Sequence, residues 1–208
     1  MVFRLSLEEG EFLVRLARKA VENYLETKET TNVPDDTPQK LLKPCGVFVT
    51  IRTAESSKRK LRGCIGYPYP STPLTKAVIE SSINSATQDP RFQPLSPKEI
   101  ENVVFELSVL TPPEKINVEK PIEYPSKIKV GKDGLIVEKG LYKGLLLPQV
   151  PVEWKWDSQT FLCQCCMKAS LPPDCWLLKN TSIYKFQAII FEEESPRGEV
   201  KRKAFGGK

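Results

Sequence analysis

The sequence predicts an α+β fold in which a larger antiparallel-sheet domain with flanking helices receives a smaller inserted domain made of a β-meander and a helix. Three observations carry this expectation. Helix-periodic segments alternate with short strand-periodic runs from residue 7 to residue 110. Two proline-marked breaks then interrupt the chain, at Pro112, Pro113, Pro121 and Pro125 and again at Pro172-Pro173. Beyond the second break, SIYKFQAIIFEEE (Ser182 to Glu194) alternates like one long strand that returns the chain to the first body. The expected boundaries are residues 1–124 together with 171–208 for the larger domain, and 125–170 for the insertion.

Taken in order, the first helix is signalled by Ser6 and Glu9 in capping-box spacing and by Phe12, Leu13, Leu16, Ala20, Val21, Tyr24 and Leu25 on one stripe. A polar, proline-containing connection covers Lys28 to Lys43. CGVFVTIR (Cys45–Arg52) and KLRGCIGY (Lys60–Tyr67) read as two strands of a hairpin whose loose loop is the polar TAESSKRK. Thr72 and Pro73 fit an N-cap and first helical position for LTKAVIESSINSA, and Pro90 stops that helix near Asp89. Ser96 and Glu99 mark a short capped turn. NVVFELSVL (Asn102–Leu110) is a strand with Val103, Phe105, Leu107 and Val109 on one face and Val104, Glu106, Ser108 and Leu110 on the other. In the insertion, Asp133-Gly134 signals a hairpin turn, and Lys139-Gly140 with Lys143-Gly144 a compact meander. Asp157 caps SQTFLCQCCMKAS, whose apolar face is Phe161, Leu162, Cys165, Cys166 and Ala169.

Composition bounds the function. The chain has 208 residues, 40% apolar and 27% charged, the profile of a soluble globular protein, and no apolar run approaches the roughly 20 residues of a membrane helix. Nothing at the N-terminus resembles a signal peptide, so a cytoplasmic protein is expected. The net charge of +5 owes a surplus of four cations to the tail (Arg197, Lys201, Arg202, Lys203 and Lys208 against Glu199), which reads as a solvated end. A broad nucleic-acid footprint is therefore not indicated. The chain contains no histidine, which excludes Ser-His-Asp and Cys-His catalysis, facial iron triads and zincin helices. Proton transfer would fall to carboxylates, Lys, Tyr or Cys.

LRGCIG (Leu61 to Gly66) is the central candidate. On a strand, Arg62, Cys64 and Gly66 share one face, so the guanidinium of Arg62 would lie near the sulfur and favour its thiolate. Gly63 and Gly66 suit a place where another backbone or a ligand comes close. The bland alternative is a buried cysteine on an edge strand. In QDPRF, Asp89 and Arg91 form either a catalytic pair or a local ion pair that holds the turn. Glu106, in an otherwise apolar strand, needs a cation, and Arg62 and Arg91 are the obvious partners; it is either half of a structural pair or a general base. Gln149, bracketed by Pro148 and Pro151, is rigidly presented for hydrogen bonding, while Trp154 and Trp156 serve stacking or packing. Among the six cysteines, Cys163 and Cys165 lie roughly 160° apart on a helix, so no metal site is expected from them. No cofactor is expected either.

LRGCIG, DPRF, FELSVLTPPE, VGKDGLIVEKG, GLLLPQVPVEW and KASLPPDCW, in that order, resemble the AMMECR family, relatives of the human protein named for the chromosomal region of Alport syndrome, intellectual disability, midface hypoplasia and elliptocytosis. The resemblance runs from about Leu7 to Glu194 and is to the compact prokaryotic, especially archaeal, members. It implies a two-part α/β structure, an intracellular protein and a groove where the LRGCIG strand meets the smaller domain. It also implies a genomic association with Memo-like and radical S-adenosylmethionine proteins in a modification pathway, but no activity. The matching positions are Leu61 to Gly66, Asp89, Arg91, Phe92, Glu106 and Gln149. Ser170 stands where family members commonly have glycine, and Cys163 and Cys165 fall outside the pattern.

Three functional readings follow. In the first, the protein is an enzyme with Cys64 as nucleophile or redox thiol, Glu106 and Asp89 moving protons, and Arg62, Gly63, Gly66, Arg91 and Gln149 binding substrate. In the second, the same groove is a binding module for a nucleotide-like ligand or a partner protein. The third is RNA binding that adds the basic tail. A homodimer stays open.

Overall fold

The computed structural model describes residues 4–54 and 59–203, and the chain is α+β, with helices and two antiparallel sheets. Its elements are α1 (Leu7–Thr27), β1 (Gly46–Thr53), β2 (Leu61–Tyr67), α2 (Leu74–Thr87), β3 (Val103–Leu110), β4 (Glu114–Lys115), β5 (Gly134–Lys139), β6 (Tyr142–Leu146), α3 (Gln149–Glu153), α4 (Ser158–Lys168), β7 (Ser182–Phe186), β8 (Ala188–Glu193) and β9 (Val200–Lys203). They fall into two compact units, residues 4–110 with 189–203 and residues 111–188. No helix among the described residues is long and apolar enough to cross a membrane.

The first unit carries a five-stranded sheet in the order β2-β1-β3-β8-β9. β1 pairs antiparallel with both β2 and β3, as the hairpin pattern requires; residues 55–58 of its connection lie outside the described residues. α1 starts at the capping box that Ser6 and Glu9 make reciprocally, which satisfies two of the helix's orphan N–H groups. Its apolar stripe packs with α2 and one sheet face into a core that includes Leu13, Val14, Val47, Val49, Ile51, Phe105, Leu107 and Phe191. One charge is buried in α1. Arg18 forks onto Glu193 with Nε–Oε1 at 2.7 Å and Nη2–Oε2 at 2.5 Å, and donates to the carbonyls of Ile100 and Val103. Every polar edge of that pair has a partner, which is the condition for tolerating it in a core.

α2 begins one residue later than expected. Pro73 occupies the cap position in extended geometry and Thr72 provides no side-chain cap. The chain is held extended there because the Thr72 carbonyl accepts from Cys45 and the Leu74 N–H donates to Lys43. Among the described residues the basic tail is also not a frayed end, and Lys208 lies outside them. Val200–Lys203 is edge strand β9 on β8, Arg197 pairs with Glu22 and Glu101, and Lys201 pairs with Glu194.

The second unit is a four-stranded sheet, β4-β7-β5-β6, with α4 packed against it. Asp133-Gly134 does not make the hairpin turn. The reversal between β5 and β6 is Gly140-Leu141, where Gly140 adopts φ 60°, a left-handed conformation that favours glycine. Asp133 is instead buried, accepts from the Lys129 N–H at 2.9 Å and closes the turn that enters β5. α4 is capped by Asp157 as read from the sequence, with Phe161, Leu162, Cys165, Cys166 and Ala169 all buried. The single long strand expected over Ser182–Glu194 is two strands. They part at Gln187, whose N–H and carbonyl bond Thr111, so that β7 serves one sheet and β8 the other.

Candidate functional site

The helices α1 and α2 pack on the β3 face that holds Val103, Phe105, Leu107 and Val109, leaving Val104, Glu106, Ser108 and Leu110 on the opposite face. Register then dictates which residues meet there. Thr50 pairs with Cys64 on one side and Glu106 on the other, giving a polar row across three strands. The next row is Gly66, Phe48 and Ser108. Thr50, Glu106 and Ser108 are only 5%, 3% and 1% exposed, whereas Cys64 is half-buried.

Asp89, at the end of α2, organises the outer edge of this row. Its Oδ2 accepts the Cys64 N–H at 2.8 Å, so a backbone donor of edge strand β2 is satisfied by a side chain. The same carboxylate holds Arg91 through Nε–Oδ1 at 2.9 Å and Nη2–Oδ2 at 2.7 Å, and accepts the Arg91 N–H at 3.1 Å. This is the local ion pair foreseen for QDPRF, with a further tie to the cysteine strand. The Arg91 guanidinium beside Asp89 holds its carboxyl down at about 2. Arg91 also reaches the Cys64 carbonyl at 3.5 Å, and its side chain remains 54% exposed.

At Cys64 the Thr50 hydroxyl donates to the sulfur at 3.4 Å. Burial pushes the thiol up from its ordinary value; the Thr50 hydroxyl and Arg91 oppose that, while Glu106 and Asp89 reinforce it. The sum leaves a protonated thiol at neutral pH, not the activated thiolate that an adjacent guanidinium was expected to give.

Arg62 does not supply that guanidinium. Gly63 pairs with Ile51 but Leu61 pairs with Arg52, so Arg62 is the extra residue of a β-bulge and the strict alternation fails there. Its side chain lies 3.0 Å from Glu99 through Nε and donates to the carbonyls of Gln93 and Pro94, so all three guanidinium nitrogens are engaged. The Phe92 ring lies 6.0 Å from the Arg62 guanidinium and 5.4 Å from that of Arg91. Glu106, too, has partners other than those expected: Lys203 at 3.1 Å and Arg52 at 3.9 Å, not Arg62 or Arg91.

The two glycines of the motif answer to protein backbone. A Cβ at Gly63 would overlap the Ser85 carbonyl of α2, and one at Gly66 would overlap the Val47 carbonyl of β1. Ser85 is the reason α2 comes so near: its hydroxyl accepts the Ile65 N–H at 2.7 Å and donates to the Val49 carbonyl at 2.8 Å. In the second unit, Gln149 opens α3 with a buried Oε1 that has no hydrogen-bond partner among the described residues. Trp154 stacks on Trp156 with centroids 6.1 Å apart. Cys165, Cys166 and Cys175 are fully buried, with thiols pushed up by burial, that of Cys165 to about 12. Among the described residues no group of three His, Cys, Asp or Glu is placed to hold a metal ion.

The structure thus assembles Cys64, Asp89, Arg91 and Glu106 on one unit and turns Arg62 away. Thr50, Ser108, Arg52 and Lys203 are additions that sequence patterns did not single out. Their signal is strand register: the β3 alternation already puts Ser108 on the Glu106 face, and Thr50 becomes visible only once β1 is aligned with β3.

The AMMECR1 family model matches residues 14–191. A protein of Pyrococcus horikoshii is 58% identical over 204 residues, covering 98% of both chains. One from Pyrococcus abyssi is 58% identical over 198 residues, covering 95% of this chain and 96% of its own. The crystal structure of an uncharacterised Pyrococcus horikoshii protein superposes with a TM-score of 0.92 at 57% identity, over 97% of this chain and 100% of that one.

Proposed function

The chain belongs to the AMMECR1 family, and from that premise we propose that the Cys64 face of the first unit is a binding site for an anionic, nucleotide-like ligand, with Arg91 as its recognition group. The observation that carries this reading is the Asp89–Arg91 geometry. Asp89 grips the Nε and Nη2 side of the guanidinium, and Nη1 has no partner among the described residues. With Nη2 also turned to the Cys64 carbonyl, the exposed Nη1 is a charged donor suited to phosphate or carboxylate, with its rotamer entropy already spent in the folded state. Arg62, its donors consumed by Glu99 and two carbonyls, is a structural tie.

The enzyme reading has less support. Its nucleophile is raised, its carboxylate Asp89 is locked ionised against Arg91, and Glu106 is neutralised by Lys203. The RNA reading has less support among the described residues of the tail, because Arg197, Lys201 and Lys203 are each paired with carboxylates.

The test is calorimetric titration with inorganic phosphate, AMP and S-adenosylmethionine. The last is included because the family resemblance implies radical S-adenosylmethionine neighbours, and because it carries a carboxylate. Binding of at least one probe is expected to survive Cys64→Ser and to weaken about thirtyfold in Arg91→Ala, the scale of a charge-assisted hydrogen-bond pair. Binding that Arg91→Ala leaves intact overturns the reading. Iodoacetamide labelling of Cys64 ahead of the partly exposed Cys163 at pH 7 returns the enzyme to first place.

A further inference from the structure

We infer that Cys163, Cys166 and Cys175 of the second unit form a thiol relay, in which a hydroperoxide attacks the sulfur of Cys163 and the oxidation ends as a disulfide between Cys166 and Cys175. The inference is independent of the Cys64 reading, since all three residues belong to the other unit.

The fold brings the three side chains into a row. Cys163 and Cys166 are three residues apart on α4, which sets them roughly 60° apart around its axis with Cβ atoms about 5–6 Å from each other. α4 then ends in a Schellman turn. Ser170 adopts φ 58°, its N–H donates to the Met167 carbonyl at 2.9 Å, and the Leu171 N–H donates to the Cys166 carbonyl at 3.1 Å. The chain therefore folds back at the helix end, and the Cys175 N–H closes a further turn on the Pro172 carbonyl at 3.0 Å. Cys175 thus comes to lie against the last turn of α4, where the Cys166 thiol donates a hydrogen bond to its sulfur. Lys139 is close enough to Cys175 to favour its thiolate against the effect of burial.

Exposure gives the row a direction. Cys166 and Cys175 are fully buried, whereas Cys163 is partly exposed and is the one of the three that solvent reaches. Cys165 stands outside the row, with its sulfur turned to the carbonyls of Leu135 and Gly144. No small molecule has to enter the core, because each buried sulfur reacts only with the sulfur beside it.

The chemistry balances in three steps. Hydrogen peroxide gives one oxygen to the Cys163 thiol; its O–O bond breaks, water leaves, and Cys163 becomes a sulfenic acid. The Cys166 sulfur attacks that sulfur, an S–S bond forms, the S–O bond breaks, and hydroxide departs as water with the Cys166 proton. The Cys175 sulfur then attacks at Cys166, the first S–S bond breaks, and Cys163 leaves as a thiol with the Cys175 proton. Cys166 and Cys175 have together lost two electrons, one peroxide has become two waters, and Cys163 is restored.

The test treats the reduced full chain with hydrogen peroxide under native conditions, stops the reaction with catalase, and alkylates the remaining thiols in denaturant. Trypsin cuts after Lys168 and so separates Cys166 from Cys175 unless they are bridged. The expected product joins the two peptides through Cys166 and Cys175 and carries an alkylated Cys163. In Cys163→Ser the bridge is expected to form at least about tenfold more slowly, because the accessible sulfur is gone. Cys163→Ala takes its place should the serine variant fail to fold. Free Cys166 and Cys175 after Cys163 has been oxidised overturn the inference. So does a final bridge between Cys163 and Cys166, a Cys166–Cys175 bridge that forms as fast in the Cys163 variant as in wild type, or a wild-type chain in which none of the three sulfurs is oxidised.

Discussion

The sulfur at position 64 and the sulfurs at 165, 166 and 175 are all raised by burial, yet their surroundings differ in kind. In the first unit, Cys64 is half-buried in a row of polar side chains, with a threonine hydroxyl on the sulfur and a guanidinium and two carboxylates close enough to act on its charge. In the second unit, Cys165 is fully buried between α4 and the β5–β6 hairpin, and its sulfur is 3.5 Å from the carbonyls of Leu135 and Gly144. There the thiol is a small hydrophobe that lets helix and sheet come close; a Cβ on Gly144 would run into the Ala169 amide. The difference separates a cysteine that fills space from one placed among charged and polar side chains. The raised thiol alone does not distinguish them; exposure and polar company do.

The largest effect that sharpens the contrast is in thiol access. With iodoacetamide at pH 8 under native conditions, Cys165 and Cys166 are expected to react at least about a thousandfold more slowly than Cys64. Their labelling requires opening of a core whose stability is on the order of 5–15 kcal/mol for an ordinary domain. In denaturant the six should react alike. Native rates for Cys165 within tenfold of Cys64 would show that the second unit's core opens readily, and the contrast would collapse. Peptide-resolved mass spectrometry supplies the rates.

How much of this was legible in the sequence follows from where each feature gets its specification. α1, β3 and α4 are fixed by local periodicity and by caps three residues away, and they are where the residues place them. The features that escaped are set by pairing with distant chain. Arg62 belongs to a bulge that exists only because Ile51 and Arg52 pair out of step across the hairpin. Glu106 meets Lys203, almost a hundred residues away, because β9 closes the sheet edge. The break at Gln187 depends on Thr111. At the site, DPRF announced a rigid Asp–Arg pair, but that its carboxylate would also hold the Cys64 N–H required the end of α2 to lie against β2.

Asp89 tests whether the polar company at Cys64 is structural as well as functional. Its folded pKa is about 2 against an ordinary value of 3.8, so the ionised form is favoured by the fold. That contribution, about 2 kcal/mol, is complete above about pH 5 and is lost as the pH falls through 4 toward 2. Asp89→Asn is expected to unfold about 2 kcal/mol more easily at pH 7, and its stability should converge on that of wild type near pH 2. Urea titrations across that range measure both. A constant gap at all pH values would mean that Asp89 acts through hydrogen-bond geometry and not through its charge.

The smallest effect is also the most selective. Cys64→Ser is expected to change stability by less than about 0.5 kcal/mol, because at that half-buried position water can satisfy a hydroxyl drawn back from Thr50. Cys165→Ser is expected to cost about 1 kcal/mol or more. The shorter C–O bond would draw its hydroxyl back from carbonyls that a sulfur only just reaches at 3.5 Å, leaving a buried donor unsatisfied. Thermal unfolding of the two variants side by side separates the cases, since the chemical change is identical and only the surroundings differ. Equal losses would mean that Cys64 is held by packing as Cys165 is, and that the row of Thr50, Cys64 and Glu106 is a polar seam of the core; a larger loss at Cys165 leaves Cys64 as the sulfur the fold can do without, which is what a residue facing a ligand should be.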